Sequence, residues 1–151
     1  MIFLRRRNLL QSVVSILIAE QTNLWKRWDM QRPLAAYYAN LQPLSLAEIR
    51  ERVVELKENL DYYEGIIVAR EPGSYLKLIY EDLYFCTVAQ QEQLFAQIWH
   101  FLEIAPLPIE QLQAYLQPAQ AQLNSPATYQ FLPNAQEIQQ QVGNDETGWL
   151  R

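Results

Sequence analysis

The alternation of apolar and polar positions divides the chain into short strands and long helices. Ile2, Phe3 and Leu4 form an apolar run that stops at Arg5, Arg6 and Arg7, as at the end of a buried parallel strand. The period then changes. Leu9, Val13 and Leu17, with Ile16, Glu20 and Leu24, mark helical faces, and no Gly or Pro intervenes before Pro33. The pattern predicts a helix from about Leu9 to about Trp28. After Pro43, Ser45 and Glu48 have the spacing of a capping box, followed by a stripe through Ile49, Val53, Leu56, Leu60 and Tyr63. This predicts a long helix to about Arg70, ended by Pro72 and Gly73. Tyr75–Tyr80 reads as a second strand, and about Gln90–Leu102 as a helix burying Leu94, Phe95, Ile98, Phe101 and Leu102. Ile109–Leu116 suits a short helix and 117–133 a surface meander. Asn134 is placed to cap a last helix through Val142, closed by Gly143. No repeat or internal boundary shows, so residues 1–151 are expected to form one domain.

Composition narrows the function classes. Half the residues are hydrophobic and 19% charged, as in a folded globular protein. A net charge of −5 argues against a nucleic-acid binder, but three adjacent arginines leave room for a local anion site. The one cysteine, Cys86, is expected to be a buried small hydrophobe. The one histidine, His100, lies in an apolar run and reads as a helix-packing residue, so no metal site is expected. The basic, apolar start could mimic a targeting segment, but Asn8, Gln11, Ser12 and Ser15 interrupt it. It is too short and polar for a bilayer, and a cytoplasmic setting without membrane contact is the expectation.

Two constellations carry chemistry. In the first, Arg7 at a strand end opens a helix that holds Ser15 about two turns in. A guanidinium fork, the first helical N–H groups and a hydroxyl can together hold a phosphate. From physics alone, the favoured reading is three arginines that simply decorate an exposed turn. In the second, Tyr80-Glu81-Asp82-Leu83 closes a strand. Its acids suit capping and pairing with nearby arginines better than paired-carboxylate catalysis.

The first of these, an RN…S pattern from Arg7 to Ser15, resembles the 3′-phosphate-binding segment of sulfotransferases, with Leu9 where that family usually has proline. The wider stretch LRRRNLLQSVVSILIAEQTNLW is similar to bacterial sulfotransferases, in which paired arginines precede such a helix and a QT–W motif follows. YEDL at 80–83, the Phe101-Leu102-Glu103 helix end and the closing GNDETGWL match the family in order. The resemblance implies an α/β chain, mostly helical with two short parallel strands, forming the C-terminal part of a P-loop-NTPase-like sulfotransferase fold. It also implies sulfuryl transfer from 3′-phosphoadenosine-5′-phosphosulfate to a hydroxyl or amine. Arg7 and Ser15 would hold the 3′-phosphate, or Arg6 or Arg5 in place of Arg7. Gln21, Thr22 and Trp25 would lie on the substrate side, although core packing suits Trp25 equally. In the family, YEDL is mainly architectural.

The family grips the 5′-phosphosulfate with a PKSGTTWL-type loop. The four glycines here, Gly65, Gly73, Gly143 and Gly148, form no such loop. The expectation is therefore a partial sulfotransferase domain, inactive alone, with no catalytic residue of its own. Its partners would be the nucleotide sulfate donor and a complementary N-terminal half or a second copy. The competing reading is a non-catalytic helical module that recruits a partner chain. A third has Ile2, Phe3, Leu4 and the arginines anchoring the protein to a membrane surface.

Overall fold

A computed structural model describes residues 1–26, 30–70, 73–116 and 126–150. They form two short strands and eight helices: β1 (Ile2–Arg5), α1 (Leu9–Thr22), α2 (Leu34–Tyr38), α3 (Leu46–Arg70), β2 (Leu76–Ile79), α4 (Tyr80–Tyr84), α5 (Val88–Leu102), α6 (Ile109–Leu116), α7 (Pro126–Tyr129) and α8 (Ala135–Gln141). The described chain is mostly helical with two parallel strands. Packing divides it into two compact units, Met1–Arg7 with Leu60–Ala121, and Asn8–Asn59 with Gln122–Arg151.

In the first unit, β1 and β2 pair in parallel with Ile2 opposite Leu76 and Arg5 opposite Ile79. The Leu76 N–H donates to the Met1 carbonyl at 2.9 Å at the start of the ladder. Two strands make a marginal sheet, and Ile2 and Leu4 remain exposed on one face of β1. Tyr80, expected to end the strand, instead begins the short helix α4. Thr87 and Gln90 form a full capping box at the start of α5. The only buried residue of α5 is Gln91, whose Nε2 donates to the Leu83 carbonyl at 2.8 Å. Leu94, Phe95, Ile98 and Phe101, expected in a core, are half-buried, and Leu102 is exposed. His100 is exposed too, because it falls outside the half-covered stripe of this helix. Cys86 is half-buried, and its thiol donates to the Asp82 carbonyl at 2.8 Å. Burial and the nearby Asp82 carboxylate push that thiol's pKa up, away from nucleophilic use.

The second unit holds the main core. Leu10 and Val14 of α1, Ile49 of α3 and Ile138 of α8 are fully buried. Helix α1 stops at Thr22 rather than near Trp28, because Asn23 takes a left-handed conformation (φ 53°) and ends the ladder. Trp28 lies outside the described residues. Ser45 caps Glu48 N–H at 3.3 Å, while the Glu48 carboxylate pairs forward with Arg52 rather than reaching back. Asn134 precedes α8 as expected, but its amide serves another segment. Its Oδ1 accepts from Leu44 N–H at 3.0 Å and its Nδ2 donates to the Leu44 carbonyl at 2.8 Å. This two-way bond ties the loop before α3 to the start of α8. The expected meander contains α7, and its earlier part, 117–125, lies outside the described residues.

Candidate functional site

Three adjacent arginines have three different environments, all within the first unit. Arg5, the last residue of β1, is drawn inward. Its Nη1 lies 2.7 Å from Asp61 Oδ1 and 2.9 Å from Glu64 Oε2 on α3, and its side chain is 19% exposed. Glu64 also accepts from Lys77 of β2, so one carboxylate links helix and sheet. The Lys77 hydrogen bond, and then that of Arg5, hold the Glu64 carboxyl below its ordinary range against the opposing effect of burial. A depressed pKa stabilises the fold above the unfolded value of 4.5, and that contribution is lost as pH falls through the folded value. Wild-type protein should therefore lose melting temperature on acidification from pH 6 to about pH 3 more steeply than Glu64→Gln. Parallel decline of the two would remove Glu64 from this role.

Arg6 lies with its guanidinium carbon 3.9 Å from the centroid of the Tyr80 ring, a cation–π contact. The Tyr80 ring in turn packs against Tyr84, 4.5 Å between centroids. Arg7 faces outward, its side chain 65% exposed. Its backbone N–H donates to Glu81 Oε2 at 2.9 Å, and its Nη2 lies 3.0 and 3.2 Å from the two Asp82 carboxylate oxygens. The acids of the YEDL segment thus pair with an arginine. Among the described residues, Nε and Nη1 of Arg7 meet no acceptor, so this guanidinium keeps two nitrogens for an oxyanion.

The second unit holds Ser15 and the start of α1. Ser15 is half-buried on α1. The helix start differs from the sequence expectation, because two of its N–H donors are already used. Leu10 N–H bonds the Thr147 carbonyl at 2.9 Å, and Gln11 N–H bonds Asn8 Oδ1 at 2.9 Å. Asn8 Nδ2 donates to the Trp149 carbonyl at 2.7 Å. The closing GNDETGWL segment therefore caps α1, and these two donors do not serve a ligand. An Asn immediately before an apolar-periodic run is an N-cap signal, and it could have identified this role from sequence.

The residues expected on the substrate side divide. Gln21 makes a two-way bond with the backbone of Gln42, and the Thr22 hydroxyl donates to the Ile18 carbonyl at 2.8 Å. Both are engaged in holding local backbone. Trp25 is 54% exposed, which excludes core packing for it. A groove of about 240 Å³ on the same unit is lined by Val13, Ile16 and Leu56 with Arg52, Glu55 and Asn59, and includes none of the expected site residues. The described residues contain no cluster of His, Cys, Asp and Glu suited to a metal, and no helix long and apolar enough to cross a membrane. What the arrangement can do chemically is bind an oxyanion at Arg7. Comparison of the chain with family models, curated proteins and solved structures finds no match.

Proposed function

We propose that the chain is a sulfotransferase-type protein and that Arg7 anchors the 3′-phosphate of 3′-phosphoadenosine-5′-phosphosulfate. One observation carries this reading: an outward guanidinium just past the C-terminal end of a parallel strand, with two nitrogens unengaged among the described residues. Ligands in open α/β sheets bind at that end of the strands. Ser15 enters as the second phosphate ligand through the RN…S resemblance, and Trp25 is the exposed candidate on the acceptor side. In the reaction, an acceptor oxygen or nitrogen bonds to sulfur as the bond from sulfur to the 5′-phosphate oxygen breaks. The acceptor gives up a proton, and 3′-phosphoadenosine-5′-phosphate leaves. This chain contributes anchorage of the donor's far phosphate, which positions the sulfuryl group for in-line attack. None of its residues is assigned to the sulfur centre. A 5′-phosphosulfate loop has to come from elsewhere in the polypeptide or from a second chain.

Calorimetric titration with 3′-phosphoadenosine-5′-phosphate tests the proposal. Weak binding is expected for the wild type, with a loss of about tenfold or more in Arg7→Ala, since a charge-assisted bond contributes roughly 1.5–3 kcal/mol. Ser15→Ala should lose about threefold or more, the value of a neutral hydrogen bond. Absence of heat with the wild type, or variants that bind as well as it does, would sink the reading.

A second reading, a helical module that recruits a partner chain, is favoured by a separate observation. Val88 and Leu102 at the two ends of α5 are exposed, as are Ile104 and Leu107 beyond it. Co-expression with a chain that carries a 5′-phosphosulfate loop separates the two. Restored transfer supports the enzyme, and a tight inactive complex supports the scaffold.

A further inference from the structure

We infer that Asp82 is a specificity-determining residue, an acidic partner of Arg7 that competes with and repels an incoming anion. The inference rests on the assignment of Arg7 as the phosphate anchor. Asp82 occupies Arg7 through a single nitrogen, Nη2, which spans both carboxylate oxygens at 3.0 and 3.2 Å. That is a poorer match than the parallel two-nitrogen fork a guanidinium makes with a well-placed phosphate. The two side chains are 65% and 51% exposed, so water screens their attraction and the pair is readily exchanged.

The main-chain anchors of the two residues are separate from their side-chain contact. Arg7 is fixed at its backbone N–H by Glu81 Oε2 at 2.9 Å, and the Asp82 carbonyl accepts the Cys86 thiol at 2.8 Å. Glu81 thus holds the Arg7 backbone while Asp82 holds the side chain. Neighbouring carboxylates have a second effect, since Asp82 repels any anion that approaches Arg7. Free sulfate or phosphate, with one or two contacts to offer, has to overcome both competition and repulsion. A nucleotide that brings further contacts overcomes them. Asp82 thereby screens Arg7 from small inorganic anions and keeps the site for the larger ligand.

The test titrates inorganic sulfate, inorganic phosphate and 3′-phosphoadenosine-5′-phosphate into wild type, Asp82→Asn, Asp82→Ser, Glu81→Gln, Arg7→Ala and the Arg7→Ala/Asp82→Asn double variant. Thermal melts by circular dichroism check that each variant folds, and the serine variant stands in if the asparagine variant does not. Asp82→Asn should bind the inorganic anions about fivefold tighter, the upper end for loss of one exposed competing charge. Glu81→Gln, which keeps an acceptor for the Arg7 N–H and removes a charge that faces the backbone rather than the guanidinium, should tighten anion binding by less than Asp82→Asn does. The double variant should lose the gain. Asp82 variants that bind inorganic anions no better than wild type, while Arg7→Ala still weakens nucleotide binding, would overturn the screening role and leave the donor site standing. Arg7→Ala with unchanged nucleotide affinity would instead remove the donor site and the screen with it.

Discussion

Gly148→Ala should destabilise the second unit by about 3 kcal/mol, well beyond an ordinary surface substitution. Gly148 has φ +100°, and a Cβ there would lie 2.3 Å from Asn8 Oδ1, 2.5 Å from Asn8 Cγ and 2.9 Å from Asn8 Cα. Backbone strain at a positive φ contributes about 1 kcal/mol. The larger share comes from Asn8, which cannot yield as a free side chain would. Its Oδ1 caps Gln11 N–H and its Nδ2 donates to the Trp149 carbonyl, so moving it breaks an N-cap and a second hydrogen bond. Those together cost about 2 kcal/mol. Gly73→Ala is the natural control. It also has a positive φ, +82°, but a Cβ there meets nothing within 4 Å. Only strain should register, about 1 kcal/mol. Chemical denaturation of both variants checks the pair. Equal losses would show that the close approach to Asn8 contributes nothing.

The capped turn also shows where sequence reasoning reaches its limit. Local patterns reported local structure well. The periodicity from Leu9, the Ser45 cap, the stripe through Ile49 and Val53, and the run from Ile109 each produced a helix near the expected place. Two strands were legible from apolar runs, one stopped by the arginines and one following Pro72-Gly73, and the resemblance supplied the expectation that they are parallel. What the pattern could not carry was partnership over long sequence separations. GNDETGWL reads as a turn, yet nothing in its residues says that Thr147 and Trp149 carbonyls take donors from Leu10 and Asn8. For that reason the Leu10 and Gln11 N–H groups, expected among the donors to an anion, are already engaged. Likewise, α5 has the alternation of a core helix, but burial depends on what lies opposite, and its stripe stays half-covered.

The arginine run shows the same limit at the candidate site. Three identical side chains in a row cannot be ranked by spacing. Their partners rank them: Arg5 belongs to Asp61 and Glu64, Arg6 to the Tyr80 ring, and Arg7 to an exposed Asp82. Asp61 and Glu64 lie three apart on one face of α3, a spacing that could have marked a receiving pair for a basic residue. Which arginine would fill it depends on the pleat of β1, where one residue's slip reverses the face. Arg7 is the most exposed because the strand ends before it, and the same freedom makes it the candidate ligand.

Raising the pH above 10 should destabilise the second unit through one phenol. Tyr38 is 2% exposed, and its ring stacks on Phe131 with centroids 5.8 Å apart and planes at 19°. Burial, with a further contribution from Tyr129, pushes the Tyr38 pKa from its ordinary 10.0 up to about 12. Below pH 10 both folded and unfolded chains keep the phenol neutral, so its contribution is fully present. Between 10 and 12 the unfolded chain ionises while the folded one resists, and stability falls by about 1.4 kcal/mol per pH unit. The total approaches about 2.7 kcal/mol and then levels off, because both states are ionised. Urea denaturation of wild type and Tyr38→Phe at pH 9, 10 and 11 isolates this group from the other tyrosines. Phenylalanine keeps the stacked ring and removes the proton, so the variant should show a shallower alkaline decline. Curves that fall in parallel would mean that the loss belongs to other groups. The adjacent Tyr37 makes the point about context: it is only half-buried, its hydroxyl accepts from Gln31 N–H at 2.8 Å, and its pKa is lowered. Two neighbouring tyrosines on one short helix thus shift in opposite directions, one through burial and the other through a hydrogen bond to its ionised form.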